Sequence, residues 1–146
     1  MFSKEEASKL RKEFWISFGK SFPRKWLLYN TKIKGFSFKF VADRKKALVC
    51  LDIEHPDEIA NELLYDQILS LKSILKTDFL TEVIFDEGYE LESEKRIHRI
   101  YVALDKKFSI YNKNTWQDAF LFFTDKMPQF ELFFYEYEDF INQAIN

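Results

Sequence analysis

From Ile33 to Val41 the chain alternates with a period of two, with Phe36, Phe38 and Phe40 on one face. Ile33, Gly35, Ser37, Lys39 and Val41 occupy the other. That period belongs to an extended strand, whose successive side chains point to opposite sides of a sheet. Ala42-Asp43-Arg44-Lys45-Lys46 follows as a polar turn, and Ala47 to Glu54 alternates again. Ala47, Val49, Leu51 and Ile53 share one side of this second strand; Leu48, Cys50, Asp52 and Glu54 share the other. Two alternating segments joined by a short polar stretch read as an antiparallel hairpin. Its apolar face needs a covering layer, which the rest of the chain must supply.

Helical periods flank the hairpin. Ser3-Lys4-Glu5-Glu6 spells a capping box, followed by Ala7, Leu10, Phe14 and Phe18 at helical spacing and Gly19 as a stop. Lys9, Arg11 and Lys12 lie on the opposite side as a basic, exposed face. Pro56 suits the first turn of a second helix, with Ala60, Leu64, Ile68, Leu71 and Leu75 as its stripe to about Thr77. Residues 81–86 and 96–104 read as a strand pair across an acidic loop containing Gly88. The segment 24–30 and the segment 108–111 are open to a short strand each. From Asn114 or Thr115 the chain turns helical, breaks near Pro128 and resumes with Phe130, Phe133, Tyr137, Phe140 and Ala144 as its stripe. The order α-β(β)β-α-ββ-α-α predicts an α+β fold, an antiparallel or mixed sheet of about four to six strands with helices packed on it.

At 146 residues with 47% hydrophobic and 32% charged, the chain reads as a single domain over 1–146. With three glycines and three prolines, loops should be short. No secretory leader and no run of membrane-spanning length is visible, and the lone Cys50 suits a reducing compartment, so the cytoplasm is expected and a membrane is not. The net charge of −2 conceals a split. Residues 1–50 hold 13 Lys/Arg against 4 Asp/Glu, and residues 51–146 hold 9 against 20. Such a split offers a basic surface to nucleic acid, or patches that meet within or between chains. Lys32, Lys39, Arg44, Lys45 and Lys46 are the candidate nucleic-acid contacts. The aromatic runs 120–123 and 133–137 exceed one helix face and raise the prospect of a homo-oligomer.

Lys34-Gly35-Phe36-Ser37-Phe38 resembles the aromatic strand with which RNA-recognition domains stack bases. Its alternation argues otherwise. A base-stacking strand needs an apolar reverse side, whereas here Ser37 and Lys39 occupy it, so the phenylalanines are assigned to the core. His55-Pro56-Asp57 matches a co-chaperone tripeptide but is accounted for by helix initiation. Asp43, Asp52 and Glu54 are the candidate catalytic residues, with Asp52 and Glu54 as candidate metal ligands, because gathered carboxylates hold Mg²⁺. An α-βββ-α-β order with such acids resembles a restriction-endonuclease-like core, whose pattern is an acid on one strand and Asp/Glu-x-Lys on the next. Asp52-Ile53-Glu54-His55 lacks the lysine, and Asp43-Arg44-Lys45 has that spelling on a turn. No nucleophile–His–acid set, Gly-rich phosphate loop or zinc cluster is present. No cofactor is expected; Mg²⁺ enters only if the acids are catalytic.

Several stretches together carry a family resemblance. They are Phe14-Trp15, Trp26, Tyr29-Asn30-Thr31-Lys32-Ile33-Lys34-Gly35, Ile53-Glu54-His55-Pro56-Asp57, Arg99-Ile100-Tyr101 and Ile110-Tyr111-Asn112 before Trp116. In this order they resemble a bacterial family known as domain of unknown function number 4268. The resemblance implies a loose link to nucleic-acid processing and assigns no catalytic residue. The expectation is a non-catalytic binding or accessory module linked to DNA processing or defence, the alternative a divergent Mg²⁺-dependent nuclease.

Overall fold

The computed structural model describes residues 2–146. The elements run α1 (Lys4–Ser21), β1 (Phe36–Ala42), β2 (Ala47–Ile53), α2 (Glu58–Ser70), α3 (Lys72–Ile74), β3 (Ile84–Glu90), β4 (Arg96–Ala103) and α4 (Trp116–Asn142). A π-turn over Leu75–Phe79 follows α3, and one 3₁₀ turn over Lys113–Thr115 leads into α4. The strands form one antiparallel sheet in the order β1-β2-β4-β3. Two strands, not three, separate α1 from α2, so the α-βββ-α-β order of the endonuclease-like core is not the order found. No helix among the described residues is long and apolar enough to cross a membrane.

The capping box at the start of α1 forms as spelled: Glu6 N–H donates to the Ser3 hydroxyl at 3.1 Å and Ser3 N–H to the Glu6 carboxylate at 3.4 Å. The helix runs through Gly19 and ends at Ser21. Pro56 lies just outside α2, whose cap is Asp57, accepting from Ala60 N–H at 2.9 Å. Gly88 is not in the β3–β4 loop. It forms a bulge within β3, where the register shifts between Glu87 and Tyr89. Segments 24–30 and 108–111 form turns and irregular chain rather than strands.

The phenylalanine face of β1 meets α4 residue by residue. Ring centroids lie 4.8 Å apart for Phe40 and Phe123, 5.7 Å for Phe38 and Phe130, and 5.7 Å for Phe36 and Phe134. As β1 is followed forward, α4 is followed backward, so helix and strand are antiparallel. Phe14 and Phe18 of α1 close this layer, each against Phe120 and Phe123.

Pro128 does not interrupt α4, which continues through it for 27 residues. A proline inside a helix costs about 3 kcal/mol in lost hydrogen bonding and ring clash. Met127 and Phe130, fully buried on either side of it, each contribute about 1.5–3 kcal/mol by burial. Both face the sheet only if the helix stays in phase. The buried stripe is Phe130, Phe133, Phe134 and Ile141; Phe140, assigned to it from spacing, is 36% exposed. The aromatic surplus is therefore mostly core, and Leu121, Leu132 and Tyr135, with Phe140, are the large apolar residues left outside on α4 among the described residues.

Candidate nucleic-acid interface

β2 is buried on both sides, although only one side faces the helices. Leu48, Cys50 and Ile97 are buried yet stand outside the main apolar cluster. They share the reverse face of the sheet with Ser37, Lys39, Asp52, Arg99 and Tyr101, as the register requires. Asp52 is fully buried there, and Arg99 clamps it with two bonds, Nε to Oδ1 at 2.7 Å and Nη2 to Oδ2 at 2.9 Å. The Tyr89 ring lies 4.5 Å from the Arg99 guanidinium and accepts Lys46 Nζ on its hydroxyl at 2.7 Å. The β3–β4 hairpin thus leans across the reverse face and seals it. Burial pushes the Cys50 thiol up, with the Asp52 charge adding to it, so this cysteine is a packed side chain and not a nucleophile.

Lys39 stands at the rim of this cluster, 3.6 Å from Asp52 and 3.5 Å from Glu54. Burial pulls its ammonium down, but the two carboxylates outweigh that and hold it above the ordinary lysine value. Glu54 also binds Lys95 at 2.9 Å. Burial alone would push its carboxyl up; Lys95 and Lys39 hold it below the ordinary value. Asp43 is elsewhere. It caps the β1–β2 turn, accepting Lys45 N–H and Lys46 N–H at 2.8 Å each. Since Ser37 pairs with Asp52 and Ala42 with Ala47, Asp43 lies about six residues, or roughly 20 Å, along the sheet from Asp52. Ligands of one Mg²⁺ sit about 2 Å from it, so these three acids do not share an ion. Among the described residues no set of three His, Cys, Asp or Glu side chains converges on a metal position.

The basic candidates divide in the same way. Lys39 is spent on Asp52 and Glu54, and Lys32 sits in the loop before β1 with φ at 63°. Arg44, Lys45 and Lys46 come together with Arg11 of α1 around a cleft of about 630 Å³, completed by Ala42, Asp43, Glu92, Ile110 and Tyr111. A second hollow of about 460 Å³ adjoins it through Arg44 and Tyr111 and adds Phe2, Ala7 and Ser109. The walls are held in place by backbone: Asp43 N–H donates to Lys46 C=O at 2.9 Å, and Ile110 N–H to Asp43 C=O at 3.0 Å. Arg11 Nη1 donates to the Tyr111 hydroxyl at 2.8 Å. Among the described residues none of Arg11, Arg44, Lys45 and Lys46 has a carboxylate within 4.0 Å. Arg11 and Tyr111 were not candidates from the sequence, since nothing local ties α1 to residue 111. Arg99 was missed too, although an arginine in the middle of a largely apolar strand calls for a buried acid.

The family model for "Domain of unknown function (DUF4268)" matches residues 10–138. The chain belongs to this family. The match runs from α1 almost to the end of α4 and so takes in most of the cleft and the whole sheet of this DUF4268 domain. Neither the curated proteins nor the solved structures hold a match to it.

Proposed function

We propose that this domain is a non-catalytic nucleic-acid-binding module, an accessory to DNA-processing or defence machinery. The observation that carries the reading is the cleft itself: Arg11, Arg44, Lys45 and Lys46, four cations with no carboxylate within 4.0 Å among the described residues, line it together with Tyr111. Unpaired cations in a concave site attract phosphates, and each phosphate contact releases bound counterions. Tyr111 and the half-exposed Phe2, whose rings lie 6.1 Å apart, give a stacking surface beside them. Cations that track a backbone next to aromatic faces suit a single strand, whose bases are free to stack. In this reading the domain works in the cytoplasm and without a cofactor. Leu121, Leu132 and Tyr135 on the outer side of α4 are the surface through which a homo-oligomer would form.

The test is fluorescence anisotropy with labelled single-stranded and duplex oligonucleotides at several salt concentrations. About four phosphate contacts predict roughly a 50-fold loss of single-strand affinity between 50 and 200 mM salt. Reversing two charges with Arg44→Glu and Lys45→Glu, both on exposed side chains, lowers the affinity and flattens the salt slope by about 1.4 log units per log unit of salt. Absence of salt-sensitive binding to either form overturns the function. Binding that the double variant leaves unchanged overturns the site.

A further inference from the structure

The two edges of the sheet are treated differently. At β1 the chain guards its own edge, with Phe38 N–H donating to Leu28 C=O at 3.0 Å from the preceding loop. At β3 nothing comparable occurs. Among the described residues no backbone bond joins residues 84–90 to any segment but β4. A terminal strand directs alternate N–H and C=O groups outward, ready to pair with another extended chain. Up to the bulge at Gly88 this free edge spans Ile84–Glu87, about 13 Å of strand.

The segment that carries that edge has charge of one sign. Residues 77–94 contain seven acids and no lysine or arginine. Glu82 and Glu90 are paired with Lys126 and Arg96, at 2.7 and 3.0 Å, while Asp86 and Glu87 have no cation within 4.0 Å among the described residues. By the register Asp86 faces the reverse side with Arg99, and Glu87 faces the helix side, where Glu62 and Asp66 of α2 join it around Tyr65. Its phenol is pushed up by burial first and then by Glu87, Asp86, Asp66 and Glu62. Lys72 stands at this side with its Nζ 5.4 Å from the Phe85 ring. On the reverse side Ile84 is 45% exposed. Two β3 edges paired about Asp86 or about Glu87 would set like charges directly opposite each other, which opposes pairing with a second copy's β3 in those registers.

We propose that the β3 edge docks an extended, lysine- or arginine-rich segment of another protein by strand addition. The incoming strand places basic side chains on the helix side, against Glu87 and with Asp66 and the His98-bound Glu62 beyond it, and apolar ones on the reverse side, against Ile84, which shares that side with Asp86. Backbone bonds supply the affinity and the alternation supplies the selectivity. This surface lies apart from the Arg11–Tyr111 cleft and does not depend on the nucleic-acid reading.

The probe is a blocked peptide of about seven residues alternating lysine with valine, with a second version N-methylated at alternate positions to remove strand-pairing donors while keeping every charge. Binding is followed by calorimetry, and amide hydrogen exchange is read at residues 84–87. The expected result is salt-sensitive binding, slower exchange at those amides, and roughly tenfold or greater weakening on N-methylation. A similar loss is expected for the Asp86→Lys, Glu87→Lys double variant, provided that its thermal unfolding matches the parent. Equal binding of the N-methylated peptide reduces the contact to charge attraction and overturns the proposal. So does the absence of binding, or a free protein whose β3 amides are already protected by self-association.

Discussion

Replacing Arg99 by Met isolates the energy held in the reverse face of the sheet. The substitution keeps an unbranched apolar stem of similar reach in a site only 4% exposed and removes both bonds to Asp52. Among the described residues Asp52 then keeps one ion-pair partner, Lys39 at 3.6 Å. At an effective dielectric constant near 20, a pair at that distance recovers about 5 kcal/mol of Coulomb energy, against several kcal/mol of desolvation per buried ion. Breaking a buried pair in this way costs about 3–5 kcal/mol, a large part of the roughly 5–15 kcal/mol that holds a domain together. Asp52→Leu alone should cost about as much, because it strands the guanidinium under Tyr89. The double variant Asp52→Leu, Arg99→Met removes both charges and fills the space with apolar atoms. It should return to within about 1 kcal/mol of the parent, or exceed it. Urea unfolding followed by the fluorescence of Trp15, Trp26 and Trp116 measures all four proteins, and the cycle gives a coupling of roughly 5 kcal/mol or more. Single variants that each lose less than about 1 kcal/mol, or a double variant that loses the sum, would refute the assignment of this pair as buried and mutually dependent.

Two further outcomes follow from local geometry and charge. Gly35→Ala should destabilise by more than about 2 kcal/mol in the same unfolding assay, because Gly35 has φ of 68° and a Cβ there would sit 2.4 Å from His55 Cα, which is backbone and cannot swing away. Gly88→Ala, with φ of 100° but nothing nearer than Arg96 Nη1 at 4.0 Å, should cost clearly less; the reverse ranking would contradict the packing of Gly35 on His55. On acidification, Glu54 contributes stability that is fully present above its unfolded pKa near 4.3 and is lost as the pH falls through its lowered folded value. In that window the unfolded chain binds the extra proton, so stability rises with pH. Glu54→Gln should therefore flatten the acid limb of a stability-versus-pH curve, and an unchanged limb would remove Glu54 from the account.

The elements most legible beforehand were those written in neighbouring residues. The period of two in 33–41 and 47–54 foretold a hairpin, its core face and the burial of Phe36 and Phe38, against the RNA-recognition likeness of the same stretch. Ser3 and Glu6 foretold the start of α1. Pro128 misled because its local cost is real, but the burial that overrides it comes from β1, nearly ninety positions away in the chain. The acidic set of Asp43, Asp52 and Glu54 looked like one site because strand alternation shows which side a residue faces and leaves its distance along the sheet unstated.

What consecutive residues settle is therefore the type of each element and the side on which its apolar residues lie, since the periods 2 and 3.6 are properties of a local backbone. What they leave open is register and convergence. Asp52 meets Arg99 through a cross-strand pairing between β2 and β4, and Arg11 meets Tyr111 only because α1 packs beside the loop that precedes α4. Both contacts join parts of the chain far apart in sequence, and pairings of that kind are selected by the packing of the whole core. The core was readable one element at a time; the ion pair, the cleft and the free edge of β3 came into being only when the elements were assembled.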